Sequence, residues 1–319
     1  MARRSHRSVR SFPRIRNWFV GLNLAVAVVL GSWYALQPAN RQQEVGRLVE
    51  SAFASDKHVS AFDVAWDVWQ LYYADSAKGQ VAAGDKAIVY GGVPIRTGLA
   101  AGIPLRILRN RGYVVGYNDD TGNPAWVAYR MKDIGSLPRP AARPEKFELD
   151  RRTAARVSPD DYTGSGYDRG HLAPNYAIAT RFGDEAQRET FLMSNITPQL
   201  HSLNAGLWKE LEFKIATSYP ARYEEVWTFA GPIFGDQPKR LRGRVVVPEA
   251  FFMIIVDEHE GKLRTLAFII PQQAPPTASP NGYLTSVSEI QRRTQLNFLP
   301  ELEDTAEWEV EQQAAGRVW

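Results

Sequence analysis

Tyr167-Asp168-Arg169-Gly170-His171-Leu172-Ala173-Pro174-Asn175 sets a carboxylate, a guanidinium and an imidazole within four residues. Two further blocks go with it: Ser194-Asn195-Ile196-Thr197-Pro198-Gln199, and Asn204 through Glu212. Imidazole titrates near pH ~6.5, so His171 has a neutral fraction able to take a proton from water at physiological pH. The planar fork of Arg169 matches phosphate oxygens and never loses its charge. Asn204 offers a neutral amide oxygen, which suits a hard ion such as Mg²⁺ that keeps most of its waters, although an asparagine at a helix start is also an ordinary N-cap. Together these groups suit hydrolysis of a phosphate diester. Asp168 either bridges to Arg169 at a turn or orients a neighbour. Gly170 is expected to let the backbone turn sharply.

Glu212 lies eight positions beyond Asn204. On one continuous helix that is about 12 Å along the axis and roughly 80° around it. The pair is then too far apart to share an ion directly, and Glu212 fits better as an acceptor for the water around it. Trp208 is expected to belong to the core or to brace the helix.

The elements that must carry these residues follow from periodicity. Strands are expected at Ala87–Tyr90, Leu105–Leu108, Tyr113–Tyr117, Ala125–Arg130, Val226–Ala230, Arg244–Val247, Phe251–Val256 and Leu263–Ile270, and a helix at Ser286–Leu296. The turn formers in Asn118–Pro124 make Tyr113–Arg130 an antiparallel hairpin. Pro138–Arg156 and Pro271–Gly282 are expected as loops. Strands, a central helix and more strands point to an α+β fold with an antiparallel sheet.

Before this domain the texture differs. Six arginines (Arg3, Arg4, Arg7, Arg10, Arg14, Arg16) precede the first acid, Glu44, and Asn17–Leu36 is a run of twenty uncharged residues. That run is long enough to cross a bilayer, with Trp18, Trp33 and Tyr34 near its ends. A retained anchor is the expectation, because Pro38 and Trp33 make a poor cleavage site for the alternative, a signal peptide. The basic flank would stay cytoplasmic and the rest lie outside, periplasmic or extracellular, or be secreted after cleavage. Three segments result: 1–40 as basic N-terminus with anchor or signal, 41–80 as a helical extension, and 81–319 as the domain with the site. Without the six leading arginines, 32 basic residues face 35 acids, so any pull on a polyanion must come from local patches. The absence of cysteine excludes disulfides, thiolate metal sites and cysteine nucleophiles.

The Asp168–His171 block, the Ser194–Gln199 block and Asn204-x-x-x-Trp208-x-x-Leu211-Glu212 together resemble the DNA/RNA non-specific endonuclease family of the endonuclease G type. The likeness extends to Asn123–Trp126, Tyr162–Gly166, Thr228–Phe234, Val247-Pro248, Ala267–Pro271, Thr285–Val287 and Leu296–Pro300. It implies a ββα-metal fold with helices packed on a central antiparallel sheet, and cleavage of DNA and RNA. It implies His171 as general base, Asn204 as ligand of a single Mg²⁺ or Mn²⁺, and Glu212 near the water of that ion. Arg169 is implied to contact the scissile phosphate, and Arg130 falls where the family often has a second phosphate-contacting arginine. Such a site reads phosphate and sugar rather than base edges, so no sequence preference is expected; with the ion on the leaving 3′ oxygen, 5′-phosphate ends are expected. A homodimer is also compatible. The alternatives are a membrane-anchored nucleic-acid binder that no longer cuts, and a phosphodiesterase or phosphatase acting on another esterified phosphate.

Overall fold

The computed structural model describes residues 28–29, 31–37, 42, 88–259, 262–302 and 310–319. The chain divides into two compact units, 1–68 and 69–319. In the first, residues 31–35 are helical. No helix among the described residues is long and apolar enough to cross a membrane. Most of the expected Asn17–Leu36 span, the 41–80 extension and the boundary near 80 lie outside the described residues.

The second unit is built on a seven-stranded sheet. Its strands are β1 (Arg106–Arg109), β2 (Tyr113–Asn118), β3 (Asn123–Lys132), β6 (Glu225–Ile233), β7 (Ala250–His259), β8 (Lys262–Pro271) and β9 (Leu284–Thr285). They lie in the order β9-β8-β7-β6-β3-β2-β1, every pair antiparallel. Two further strands, β4 (Asp168–His171) and β5 (Ile196–Gln199), form a separate antiparallel ribbon. The helices that pack on the sheet or follow the ribbon are α1 (Asn175–Glu189), α2 (His201–Asn204), α3 (Leu207–Ala216), α4 (Ser218–Tyr223) and α5 (Val287–Thr294).

Alternation along β3 assigns the two faces of the sheet. Val127, Tyr129 and Met131 join Ile178 of α1 and Leu207, Trp208, Leu211 and Ile215 of α3 in one core. Trp126 and Ala128 point the other way, into a second core with Val287 and Ile290 of α5, Phe298 and Leu299. Full burial of each large apolar side chain stabilises by about 1.5–3 kcal/mol, so the α3 stripe alone fixes that helix firmly on the sheet. Ser286 caps α5, its hydroxyl accepting from the Glu289 amide at 3.2 Å.

Two local expectations change. Ala87–Tyr90 is not a strand where it is described: Ile88–Tyr90 lead into a turn, Gly91 and Gly92 take φ of 65° and 95°, and Val89 plugs the second core. An apolar run of that length is read by its tertiary surroundings rather than by β propensity. Gly170 makes no turn. It sits inside β4, where a Cβ would lie 2.0 Å from Oε1 of Gln199 on β5. The glycine is there to admit the Gln199 side chain.

Candidate active site

β4, β5 and the two helices after them make one unit. The ribbon pairs Asp168 with Gln199 and His171 with Ile196. The chain leaving His171 is then pinned by Asn195: its Oδ1 accepts from the Ala173 amide at 2.8 Å and its Nδ2 donates to the Ala173 carbonyl at 3.0 Å. The imidazole thereby packs against the adjoining rings of Phe147 and Phe191, 5.5 and 4.9 Å away.

Asn204 and Glu212 are not on one continuous helix. Asn204 ends the one-turn α2, and Gly206 (φ −103°, ψ −118°) separates it from α3. No side chain fits there, because a Cβ on Gly206 would come 2.4 Å from the Ser202 carbonyl and 2.6 Å from Cα of Pro276. Loop 271–282 therefore imposes the break, and the straight-helix spacing does not apply. Asn204 is not an N-cap either. Its Nδ2 donates to Oδ2 of Asp168 at 2.9 Å, and Nδ1 of His201 lies 2.8 Å from the same oxygen. Asp168 acts as an orienting group, which leaves Oδ1 of Asn204 for another partner.

His171, Asn204, Glu212 and Arg169 all line one cleft of about 760 Å³, together with Arg143, Asn175 and Lys209. Arg169 lies over Phe147 at 5.7 Å and donates to the Pro159 carbonyl at 2.7 Å and to Oγ1 of Thr163 at 3.2 Å. These contacts hold a cation at the mouth of the cleft without neutralising it. Trp208, fully buried, donates its Nε1–H to Oε1 of Glu212 at 3.0 Å and so braces that carboxyl.

Burial, and then the Arg143 charge, lower the His171 imidazole to about 3, so it is neutral throughout the physiological range. Its Nε2 is buried without a hydrogen-bond partner. Burial raises Glu212 to about 8 against the pull of Trp208, Arg143 and Lys209, although part of the side chain still faces the cleft. A carboxyl so placed sits uneasily without a cation beside it. Among the described residues no three His, Asp, Glu or Cys side chains cluster as a closed metal cage. One oriented amide oxygen with a carboxylate nearby fits instead a hard ion that keeps most of its own waters. The residues present therefore fit a divalent cation held mainly through Asn204.

Arg130 does not belong to this site. As an even-numbered residue of β3 it faces the second core, where its guanidinium stacks 5.0 Å over Trp227 and pairs with Glu225, Nε to Oε2 at 2.7 Å. Strand parity corrects the expectation that it meets phosphate. The second cleft arginine is Arg143, from the proline-rich loop, stacked 5.2 Å over Phe191. Local pattern gave no sign of it, because its neighbours Ala141, Ala142 and Pro144 carry no chemistry. His201 was equally silent, although its place three residues before Asn204 brings it to Asp168 at one end of a helical turn.

A two-stranded ribbon running into helices, with the imidazole on the ribbon and the amide at the end of α2 just before α3, defines a ββα arrangement beside a central antiparallel sheet. Known proteins agree. Residues 95–305 match the model of the DNA/RNA non-specific endonuclease family, and the chain belongs to that family. The mitochondrial nuclease EXOG of Xenopus laevis is 31% identical over 231 residues, 63% of this chain and 61% of that protein. Human mitochondrial endonuclease G is 31% identical over 220 residues, 63% of this chain and 72% of that one. A nuclease of Nostoc sp. is 30% identical over 213 residues, covering 62% and 75%. A crystal structure described as an EndoG/EndoGI complex aligns with a TM-score of 0.61 at 22% identity, covering 70% of this chain and 94% of that one, and supports the fold. The chain thus spans about three-fifths of the length of the frog relative.

Proposed function

We propose that this protein is a divalent-metal-dependent endonuclease that hydrolyses phosphodiester bonds of DNA and RNA without sequence preference. The observation that carries the reading is the meeting of His171 and Asn204, 33 positions apart in sequence, in one cleft with Arg143 and Arg169. Neutral His171 takes a proton from the attacking water. Arg143 and Arg169 hold non-bridging phosphate oxygens. Asp168 holds the Asn204 amide nitrogen and leaves its oxygen to take a divalent ion, which Asn204 would hold, while Trp208 steadies the Glu212 carboxyl. When bound, Mg²⁺ or Mn²⁺, one per site, supplies the positive charge that offsets the departing 3′ oxygen. No side chain with these roles reads a base edge, which favours broad substrate use; departure of the 3′ oxygen leaves 5′-phosphate ends.

The test is purified protein with Mg²⁺ on duplex DNA, RNA and a small diester, followed by end labelling. Cleavage of both polymers with 5′-phosphate termini is expected. Faster turnover of the small diester, or binding without cleavage across several divalent ions, would replace this reading with one of its alternatives. The arginine-rich start and the uncharged Asn17–Leu36 run support a membrane-anchored protein with its nuclease domain outside the cytoplasm. Fractionation with sequencing of the mature N-terminus tests that, and a start near Asn40 would remove the anchor. Light scattering tests for a homodimer.

A further inference from the structure

Lys239-Arg240-Leu241-Arg242-Gly243-Arg244 is a strongly basic stretch, and no acid occurs between Asp236 and Glu249. It forms a short hairpin in which Arg240 pairs with Val246 and Leu241 with Val245. Leu241, Val245 and Val247 are buried against Val157, Tyr162, Met193 and Ile196, while Lys239, Arg240 and Arg242 are exposed. None of the four cations forms an ion pair with an acid among the described residues.

The hairpin is fixed to the catalytic ribbon by a continuous chain of contacts. The Val246 carbonyl accepts from Nδ2 of Asn123 at 2.9 Å, and Oδ1 of the same Asn123 accepts from Oγ1 of Thr197 at 2.9 Å. Thr197 lies opposite Gly170, beside Arg169 and His171. A second route runs through the small core, which reaches Phe147, the ring under Arg169 and beside His171. Its charge is therefore presented at a fixed position relative to the cleft. The tip adds an independent observation. Arg242 holds φ of 42° next to Gly243 at 74°, a left-handed position where glycine or asparagine costs less. An arginine kept there against backbone preference points to use of its side chain. Arg240 serves a different purpose, its Nη1 donating to the carbonyls of Asp120 and Arg244 at 3.2 and 2.9 Å.

We infer that the Lys239–Arg244 hairpin is a second nucleic-acid contact, docking phosphates of the backbone outside the cleft and holding long substrates through Lys239, Arg242 and Arg244. The inference rests on the nuclease reading for its substrate and deepens it by adding a surface for the flanking strand. Three such contacts release about three counterions, so the hairpin acts through affinity and salt dependence rather than through chemistry.

The test compares the full-length wild type with a Lys239→Gln, Arg242→Gln, Arg244→Gln variant, leaving Arg240 in place. KM for long duplex DNA should rise about 10- to 100-fold near physiological salt with kcat nearly unchanged, and the slope of log affinity against log salt should flatten by about 2–3. Turnover of bis(p-nitrophenyl) phosphate should not change. Duplex binding by fluorescence anisotropy in EDTA separates the surface from the chemistry. If the wild type cuts nothing yet the variant still loses salt-dependent affinity, the surface stands and the enzyme reading falls. Equal duplex affinity and slope in both proteins would overturn the inference. So would a parallel fall on the small diester, or loss of binding to phosphatidylserine vesicles with duplex binding intact.

Discussion

Glu212→Gln should stabilise the protein while inactivating it. The carboxyl rises from its ordinary 4.5 to about 8 in the fold, so the native state holds its proton through a range where the unfolded chain has released it. Stability is therefore complete below the unfolded value and falls as pH climbs from 4.5 towards 8. From the full shift, the loss at pH 7 would be about 3 kcal/mol, and the cleft's open side, where water reaches the carboxylate, reduces it to about 1–2 kcal/mol. Glutamine removes this dependence and keeps Oε1 as an acceptor for the Trp208 Nε1–H. The assay is urea or thermal unfolding of the metal-free protein in EDTA between pH 4 and 8. The variant should match the wild type near pH 4 and lead it by about 5 °C at pH 8. Added Mg²⁺ should narrow the gap by favouring the wild-type carboxylate. Two stability curves that stay parallel across the range, or a variant less stable at pH 8, would refute the reasoning.

Asp168→Ala frees the Asn204 amide to rotate, so the Mg²⁺ concentration giving half-maximal cleavage should rise about 10- to 100-fold and saturating Mg²⁺ should recover much of the rate; a metal titration checks it. Gly170→Ala drives a Cβ to within 2.0 Å of Oε1 of Gln199 and should cost about 1–3 kcal/mol in urea unfolding. Arg143→Ala should lower kcat/KM on DNA about 10- to 100-fold, the worth of one charged phosphate contact. Arg130→Ala, on the other face of the sheet, should leave kcat/KM within about threefold and cost only about 1 kcal/mol of stability for its part-exposed ion pair.

Much of this site was legible because its residues lie in short contiguous blocks. Asp168 through His171 are one strand, and Ser194 through Glu212 supply its pairing partner and the two helices that follow. The antiparallel sheet was legible from the turn formers of Asn118–Pro124 between the apolar runs Tyr113–Tyr117 and Ala125–Arg130, and from the long apolar runs of β7 and β8. What escaped depended on distant neighbours. Arg143 gains its place from stacking on Phe191, 48 positions away and invisible to local pattern. Arg130 was placed by motif alone, whereas strand parity sends it to Trp227. The helix break at Gly206 answers to Pro276, so spacing alone put Asn204 and Glu212 too far apart. Asp168 was rightly ambiguous in sequence, since only the fold brings Asn204 and His201 to the same oxygen.

The central claim is that His171 and Asn204 serve one reaction in one cleft, and cleavage of supercoiled plasmid by His171→Ala and Asn204→Ala, with unfolding midpoints recorded beside it, tests it most directly. Both variants should lose at least about 10²-fold in rate while remaining cooperatively folded, since the space each substitution leaves opens onto the cleft. Either folded variant cutting plasmid at the wild-type rate would contradict the assignment.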